Sequence, residues 1–204
     1  QGRMLTKEDK RNMMRLVARR NEHLKGGRVW EIMEYCITLV LMFILAFSIR
    51  ATLFEPMRVK GSSMENTLMP GDYMAVEKLT YIFSSMKRGD VVICYYPKND
   101  EYTCVKRIIG LPGDTVTILD GVVQVNGVTL KEDYVTTGMT AKHDGTYQVE
   151  EGCVFVMGDN RLVSRDSTDG MVGNIPKERV IGRVNRVLLP ISHAKRLPKI
   201  EYDV

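Results

Sequence analysis

The chain has 204 residues, 44% of them hydrophobic and 26% charged, with 17 Gly, 7 Pro and 4 Cys. That length suits one ordinary domain plus a modest appendage, and the composition argues against a disordered, collagen-like or disulfide-rich secreted protein. The net charge of +4 is carried by residues 1–34, where nine Lys/Arg face five Asp/Glu. The remainder is neutral, which excludes a nucleic-acid-binding body with a basic face.

In chain order, Leu5–Leu24 reads as a helix opened by a capping-box pattern from Thr6 to Asp9. Met13, Val17 and Leu24 share one face among many bases, which suits the inner membrane surface or a solvated helix equally. Gly26-Gly27 is expected to break this helix from the next segment. Tyr35 to Ile49 contains no charged residue. Those residues alone rise only about 22 Å as a helix, but extension to Phe54 reaches about 30 Å, the thickness of a hydrocarbon core. Arg50 must then snorkel towards the headgroups. One transmembrane helix is therefore expected over 33–54. A buried core helix would be unusually apolar all round, and a signal peptide cleaved near Ala46-Phe47-Ser48 would have too long a basic leader. The positive-inside rule places residues 1–32 in the cytoplasm as a basic, helical segment and residues 55–204 outside the membrane.

From Arg58 onward the pattern is of short β-strands and turns. Asp120-Gly121 separates TVTIL from VVQV, and Asn126-Gly127 separates VVQV from VTL. Two-residue hairpin turns demand such pairs, since both central positions take φ > 0. Val91–Tyr96 and Tyr102–Ile109 should form another hairpin across Pro97–Asp100, and Cys153–Met157 and Val180–Leu189 two more strands. A hairpin centred on Asn99 would set Cys94 opposite Cys104, as a disulfide or as two small buried hydrophobes. Cys36 falls within the span and Cys153 is left over. No C-x-x-C or His/Cys spacing suggests a metal site.

None of His23, His143 and His193 sits where a catalytic triad would use it, so nucleophilic catalysis here needs a lysine as base. Lys106 lies within the apolar strand Val105–Gly110, where alternation turns either Lys106 or Arg107 inward. Burial disfavours the ammonium, so a buried lysine can be neutral near pH ~7–8 and accept a serine proton. A serine-bearing loop, Gly61-Ser62-Ser63-Met64, precedes it.

These residues belong to an ordered set: Leu53-Phe54-Glu55-Pro56, Gly61–Leu68, Met69-Pro70-Gly71-Asp72, Arg88–Val92, Val105–Asp114, and Gly158-Asp159-Asn160-Arg161 with Ser164-Arg165-Asp166-Ser167. In this set the chain resembles the bacterial type I signal peptidases, in their compact Gram-positive form. The resemblance implies a mostly β fold, a barrel-like antiparallel catalytic domain behind one N-terminal transmembrane helix. It implies Ser63 as nucleophile, Lys106 as general base and the Ser63 N–H as oxyanion donor. Ser164 would aim the Lys106 amine, Asp159 would pair with Arg107, and Asp166 would support the loop. Met57, Val59, Gly61, Met64, Leu68, Thr103 and Val105 would bind an extended signal-peptide end, with shallow pockets for Ala-x-Ala. The implied partners are signal peptides of exported preproteins and the lipid bilayer, with the export translocon as a further candidate; no cofactor or nucleic acid is implied.

Two positions depart from the family pattern. Asn66 stands where the family has proline, and asparagine is expected to adopt proline's φ near −65° at small cost. Thr168 stands where the family has arginine, leaving Asp166 to find Arg161, Arg165, a backbone donor or water. These departures motivate the alternative of a catalytically impaired, membrane-tethered relative that binds signal peptides or an export partner without cleaving.

Overall fold

The computed structural model describes residues 6–96, 99–136, 143–202 and 204. The chain divides into a helical unit ending at Ala51 and a β unit that begins at Thr52. Beyond Thr6, the described part of the helical unit belongs to one helix, α1 (Lys7–Leu53), whose last two residues fall within the second unit. Its start is capped as expected: Asp9 accepts the Thr6 N–H at 3.0 Å, and the Thr6 hydroxyl accepts the Asp9 N–H at 3.2 Å. The expected break at Gly26-Gly27 does not occur, and the helix runs through both. A glycine costs a helix only about 1 kcal/mol relative to alanine, which strong helical sequence on both sides absorbs. Within α1, Gly27–Ser48 is long and apolar enough to cross a membrane. That stretch starts six residues before the segment expected from the sequence.

The β unit contains twelve strands among the described residues, and every pairing is antiparallel. They are β1 (Phe54–Arg58), β2 (Tyr73–Glu77), β3 (Val91–Tyr96), β4 (Asn99–Gly110), β5 (Thr115–Leu119), β6 (Val122–Val125), β7 (Val128–Thr129), β8 (Gly145–Gln148), β9 (Cys153–Met157), β10 (Ile175–Pro176), β11 (Val180–Leu189) and β12 (Lys195–Arg196). The larger sheet runs β1-β2-β11-β3-β4-β9-β10, with β12 beside β11, and does not close on itself among the described pairings. The smaller runs β7-β6-β5-β8. Its hairpins turn where expected: Asp120, Gly121, Asn126 and Gly127 have φ of 50°, 74°, 52° and 82°. The β3–β4 hairpin is tighter than expected, because Asn99 already pairs with Tyr96. Pro97 and Lys98 of the expected turn lie outside the described residues. Cys94 does pair with Cys104 across the strands, and both are free thiols. The sequence patterns left β2, β8, β10 and β12 unassigned.

Alternation along β4 separates its two adjacent cations. Arg107 and Ile109 point to one side and Lys106 and Ile108 to the other, since successive side chains oppose. Ile109 packs with Val116, Phe155 and Met157, and Ile108 with Val92, Val154 and Val156, so both sides of the strand are covered. Arg107 is tolerated there because its guanidinium is fully engaged. It meets Asp159 twice, at 2.9 and 2.6 Å, donates to the Gly89 carbonyl at 2.9 Å, and lies 4.0 Å over the Tyr134 ring. The Arg107–Asp159 contact is a salt bridge with 1% exposure on each side.

Removing one member of such a pair leaves a buried charge uncompensated, at a cost of about 3–5 kcal/mol. Arg107→Met should therefore destabilise the full chain in detergent by that amount, read from its denaturation midpoint. Replacing exposed Lys131, whose partner Asp133 is also exposed, should change stability by less than about 0.5 kcal/mol.

Candidate functional site

A cleft of about 460 Å³ opens in the β unit, lined by Met57–Met64 on one wall and Thr103–Lys106 on the other. Met57 and Arg58 come from the end of β1, and Thr103, Cys104, Val105 and Lys106 from the middle of β4. Both walls offer unpaired strand edges. β1 pairs only with β2 among the described strands, and β9 joins β4 only from Arg107 onward.

Lys106 is buried at the cleft floor with 1% exposure, and its Nζ donates to Ser164 Oγ at 3.0 Å. Burial pushes its pKa below lysine's ordinary 10.5; Cys104, Asp166, Cys94 and Asp159 pull the other way and are outweighed. Ser63 lines the same cleft. Among the described residues its N–H and hydroxyl make no hydrogen bond, while its carbonyl accepts the Asn160 N–H at 3.0 Å. The site thus holds a desolvated amine, an uncommitted hydroxyl and an uncommitted amide, the parts of a nucleophilic hydrolase. Among the described residues no group of His, Cys, Asp or Glu is arranged to hold a metal.

Of the positions expected to bind substrate, Met57, Val59, Gly61, Met64, Thr103 and Val105 line the cleft. Leu68 does not: it is fully buried in the cluster of Val59, Met64, Met74 and Ile93. The turn through Ser63 folds Leu68 back under Met64, and its N–H bonds the Met64 carbonyl at 2.8 Å. Met74, Ile93, Tyr96, Cys104, Val163 and Arg165 also line the cleft, although no sequence motif marks them as substrate contacts. Apart from Cys104, which sits between Thr103 and Val105, they come from strands and loops remote in sequence from the expected positions, so no local pattern could mark them.

The loop after β9 forms the third side. Asp166, whose partner the sequence left open, uses none of the arginines. It accepts the Gly158 N–H at 3.0 Å, the Thr168 N–H at 3.3 Å and the Thr168 hydroxyl at 2.8 Å. Arg161 instead binds Glu132 twice and donates to the Gly158 carbonyl at 3.0 Å. Gly158 has a role that its motif does not reveal. A methyl on it would sit on Ser164 Oγ and 2.5 Å from the Ser63 carbonyl oxygen, so only glycine lets these two segments meet.

Asn66 also departs from expectation. Its φ is +87°, not near −65°, and its side-chain amide donates to the Thr136 hydroxyl. Asparagine tolerates this left-handed conformation; proline cannot reach it.

Two variants test this packing. Gly158→Ala should cost about 1–3 kcal/mol through overpacking, read as a lower unfolding midpoint. Asn66→Gly should stay within about 0.5 kcal/mol of the parent, whereas Asn66→Pro should cost more than about 1 kcal/mol. Equal midpoints for the glycine and proline variants would show the backbone at Asn66 to be different.

The family model described as signal peptidase, peptidase S26, matches residues 32–189. Signal peptidase I of Bacillus licheniformis is 39% identical over 175 residues, covering 81% of this chain and 92% of that protein. Signal peptidase I T of Bacillus subtilis strain 168 is 36% identical, covering 80% and 89%. Signal peptidase IB of Staphylococcus aureus strain COL is 33% identical, covering 81% and 93%. A crystal structure of a signal peptidase I from Enterococcus faecalis V583 is 34% identical, covering 49% of this chain and 97% of that one at a TM-score of 0.43. An apolar N-terminal helix, likeness over about nine-tenths of each curated relative and the match through residues 32–189 together fit a membrane-anchored peptidase, and the chain belongs to the signal peptidase family, S26.

Proposed function

We propose that the chain is a type I signal peptidase of the serine class, in which Ser63 and Lys106 form the catalytic dyad. The neutral Lys106 amine takes the Ser63 Oγ proton as Oγ bonds to the scissile carbonyl carbon. The carbonyl oxygen becomes an oxyanion that the Ser63 N–H stabilises. Collapse breaks the C–N bond, and the Lys106 ammonium gives its proton to the leaving amine. Lys106 then deprotonates a water that attacks the acyl-Ser63 ester, and returns that proton to Ser63 Oγ as the C–O bond breaks and the serine is freed. Ser164, bonded to Nζ, holds the amine in position.

The observation that carries this reading is the buried Lys106 amine on Ser164 in a cleft that also contains Ser63. The substrate would lie extended between the free edges of β1 and β4 and add as a strand, with main-chain hydrogen bonds supplying affinity. Met64, Val59 and Val105 offer apolar contacts sized for small side chains, which favours Ala-x-Ala sites at the ends of signal peptides. In this proposal residues 1–32 lie in the cytoplasm, the helix within 33–54 spans the bilayer, and residues 55–204 act on its outer side beside the translocon. The excess of bases before the apolar stretch supports that orientation.

Detergent-solubilised full chain should cut a preprotein with an Ala-x-Ala site after the second Ala. Ser63→Ala and Lys106→Ala should each lose at least about 10³-fold in kcat/KM. Lys106→Arg should be equally inactive, since arginine cannot give up its proton. For the parent chain kcat/KM should rise with pH as Lys106 loses its proton, with the midpoint below 10.5 because burial favours the neutral amine. Folded parent chain that binds the peptide without cutting it would make the tethered binding protein the better account.

A further inference from the structure

Cys104 lines the cleft beside Lys106 and is partly exposed, whereas its cross-strand partner Cys94 is wholly buried. Their sulfurs stand 3.2 Å apart, directly opposed on β3 and β4. Opposed positions on antiparallel strands place Cα atoms about 4.5–5.5 Å apart, inside the range that a disulfide spans. We propose that Cys104 and Cys94 are a thiol-reactive pair in the substrate cleft, which takes small disulfides, with Cys104 as the attacking thiol and Cys94 as the resolving one.

The roles follow from access. Only Cys104 meets solvent, through the cleft, so only it can reach a reagent. The Cys104 thiolate attacks one sulfur of a small disulfide, forms a mixed disulfide and expels one small thiolate. Cys94 then loses its proton and attacks the Cys104 sulfur, closing the internal disulfide and expelling the second small thiolate. The two protein thiols are oxidised and one small disulfide is reduced to two thiols, so electrons and protons balance. The surroundings support this division of labour. The hydrogen bond from Cys94, with Lys106 and Tyr96 nearby, lowers the Cys104 pKa despite burial and Asp166, and the bond with Cys104 together with burial raises that of Cys94 well above the ordinary thiol value.

Two consequences for the site follow, and these rest on the function proposed above. A mixed disulfide on Cys104 fills the cleft between Thr103 and Val105 and obstructs the peptide. The internal disulfide instead clears the cleft and removes an ionisable thiol whose charged form favours the Lys106 ammonium. The other groups whose charge favours the Lys106 ammonium, Asp166 and Asp159, are unchanged by oxidation. The acid limb of the pH profile should then move to lower pH.

The test treats the full chain in detergent with 2-hydroxyethyl disulfide and reads disulfides by intact mass and peptide mapping, independently of activity. The parent should form a Cys94–Cys104 disulfide. Cys94→Ser should stop at a mixed disulfide on Cys104, losing most of its cleavage until dithiothreitol restores it. Cys104→Ser should leave Cys94 unmodified. Modification of Cys94 in that variant, or an unreactive Cys104 in folded parent chain, would overturn the proposal while leaving the proposed dyad intact. Mass changes as expected without loss of cleavage in Cys94→Ser would overturn the blocking role instead.

Discussion

The pair between Arg107 and Asp159 is the constraint on which the cleft depends. Arg107 lies on β4 next to Lys106, so locking the guanidinium on one side of the strand turns the lysine to the other. Asp159 opens the loop that carries Ser164, and it also accepts the Thr67 hydroxyl at 2.5 Å. Thr67 belongs to the turn that carries Ser63, and the next residue of the loop, Asn160, donates its N–H to the Ser63 carbonyl. One buried ion pair thus ties together the strand of the lysine, the loop of its serine partner and the turn of the second serine. Such a pair adds little net stability over an apolar substitute. Its value here is geometric, since an apolar pair would not tether three segments at fixed hydrogen-bond distances.

The same network governs the charge of Lys106. Two carboxylates, Asp159 and Asp166, lie near enough to favour the ammonium, yet burial outweighs them. Each is already occupied: Asp159 by Arg107 and Thr67, and Asp166 by Thr168 and the Gly158 amide. A carboxylate with spare lone pairs would be free to turn towards the amine and hold its proton. Thr168 therefore does at Asp166 what a cationic partner would do elsewhere, and does it without adding a charge beside the lysine.

Much of the fold was legible because its signals are local. Asp120-Gly121 and Asn126-Gly127 demand positive φ, and alternation marked β5, β6, β9 and β11. Opposed Cys94 and Cys104 followed from counting along a hairpin. What escaped depends on long-range packing. The need for glycine at 158 arises only when the Ser63 turn and Ser164 converge on it. Likewise Asn66 takes a positive φ while its side-chain amide meets Thr136, 70 residues away. Leu68 reads as a pocket residue in a linear motif, but the turn through Ser63 takes it into the core. The helix continued through Gly26-Gly27 because a propensity of about 1 kcal/mol per glycine is a weak signal against long flanking helices.

The uncommitted hydroxyl of Ser63 bears on how the proposed chemistry begins. Lys106 Nζ is bonded to Ser164 Oγ rather than to Ser63, so the amine is held in place without engaging the Ser63 hydroxyl. A peptide added between β1 and β4 would exclude water from both. Desolvation already dominates the pKa of Lys106, and further exclusion acts in the same direction, favouring the neutral amine. Binding and activation are then coupled through one physical quantity, the solvation of Nζ. Substrates that fill the cleft along both strand edges should gain in kcat as well as in KM, whereas truncated peptides that leave water beside Lys106 should lose kcat first.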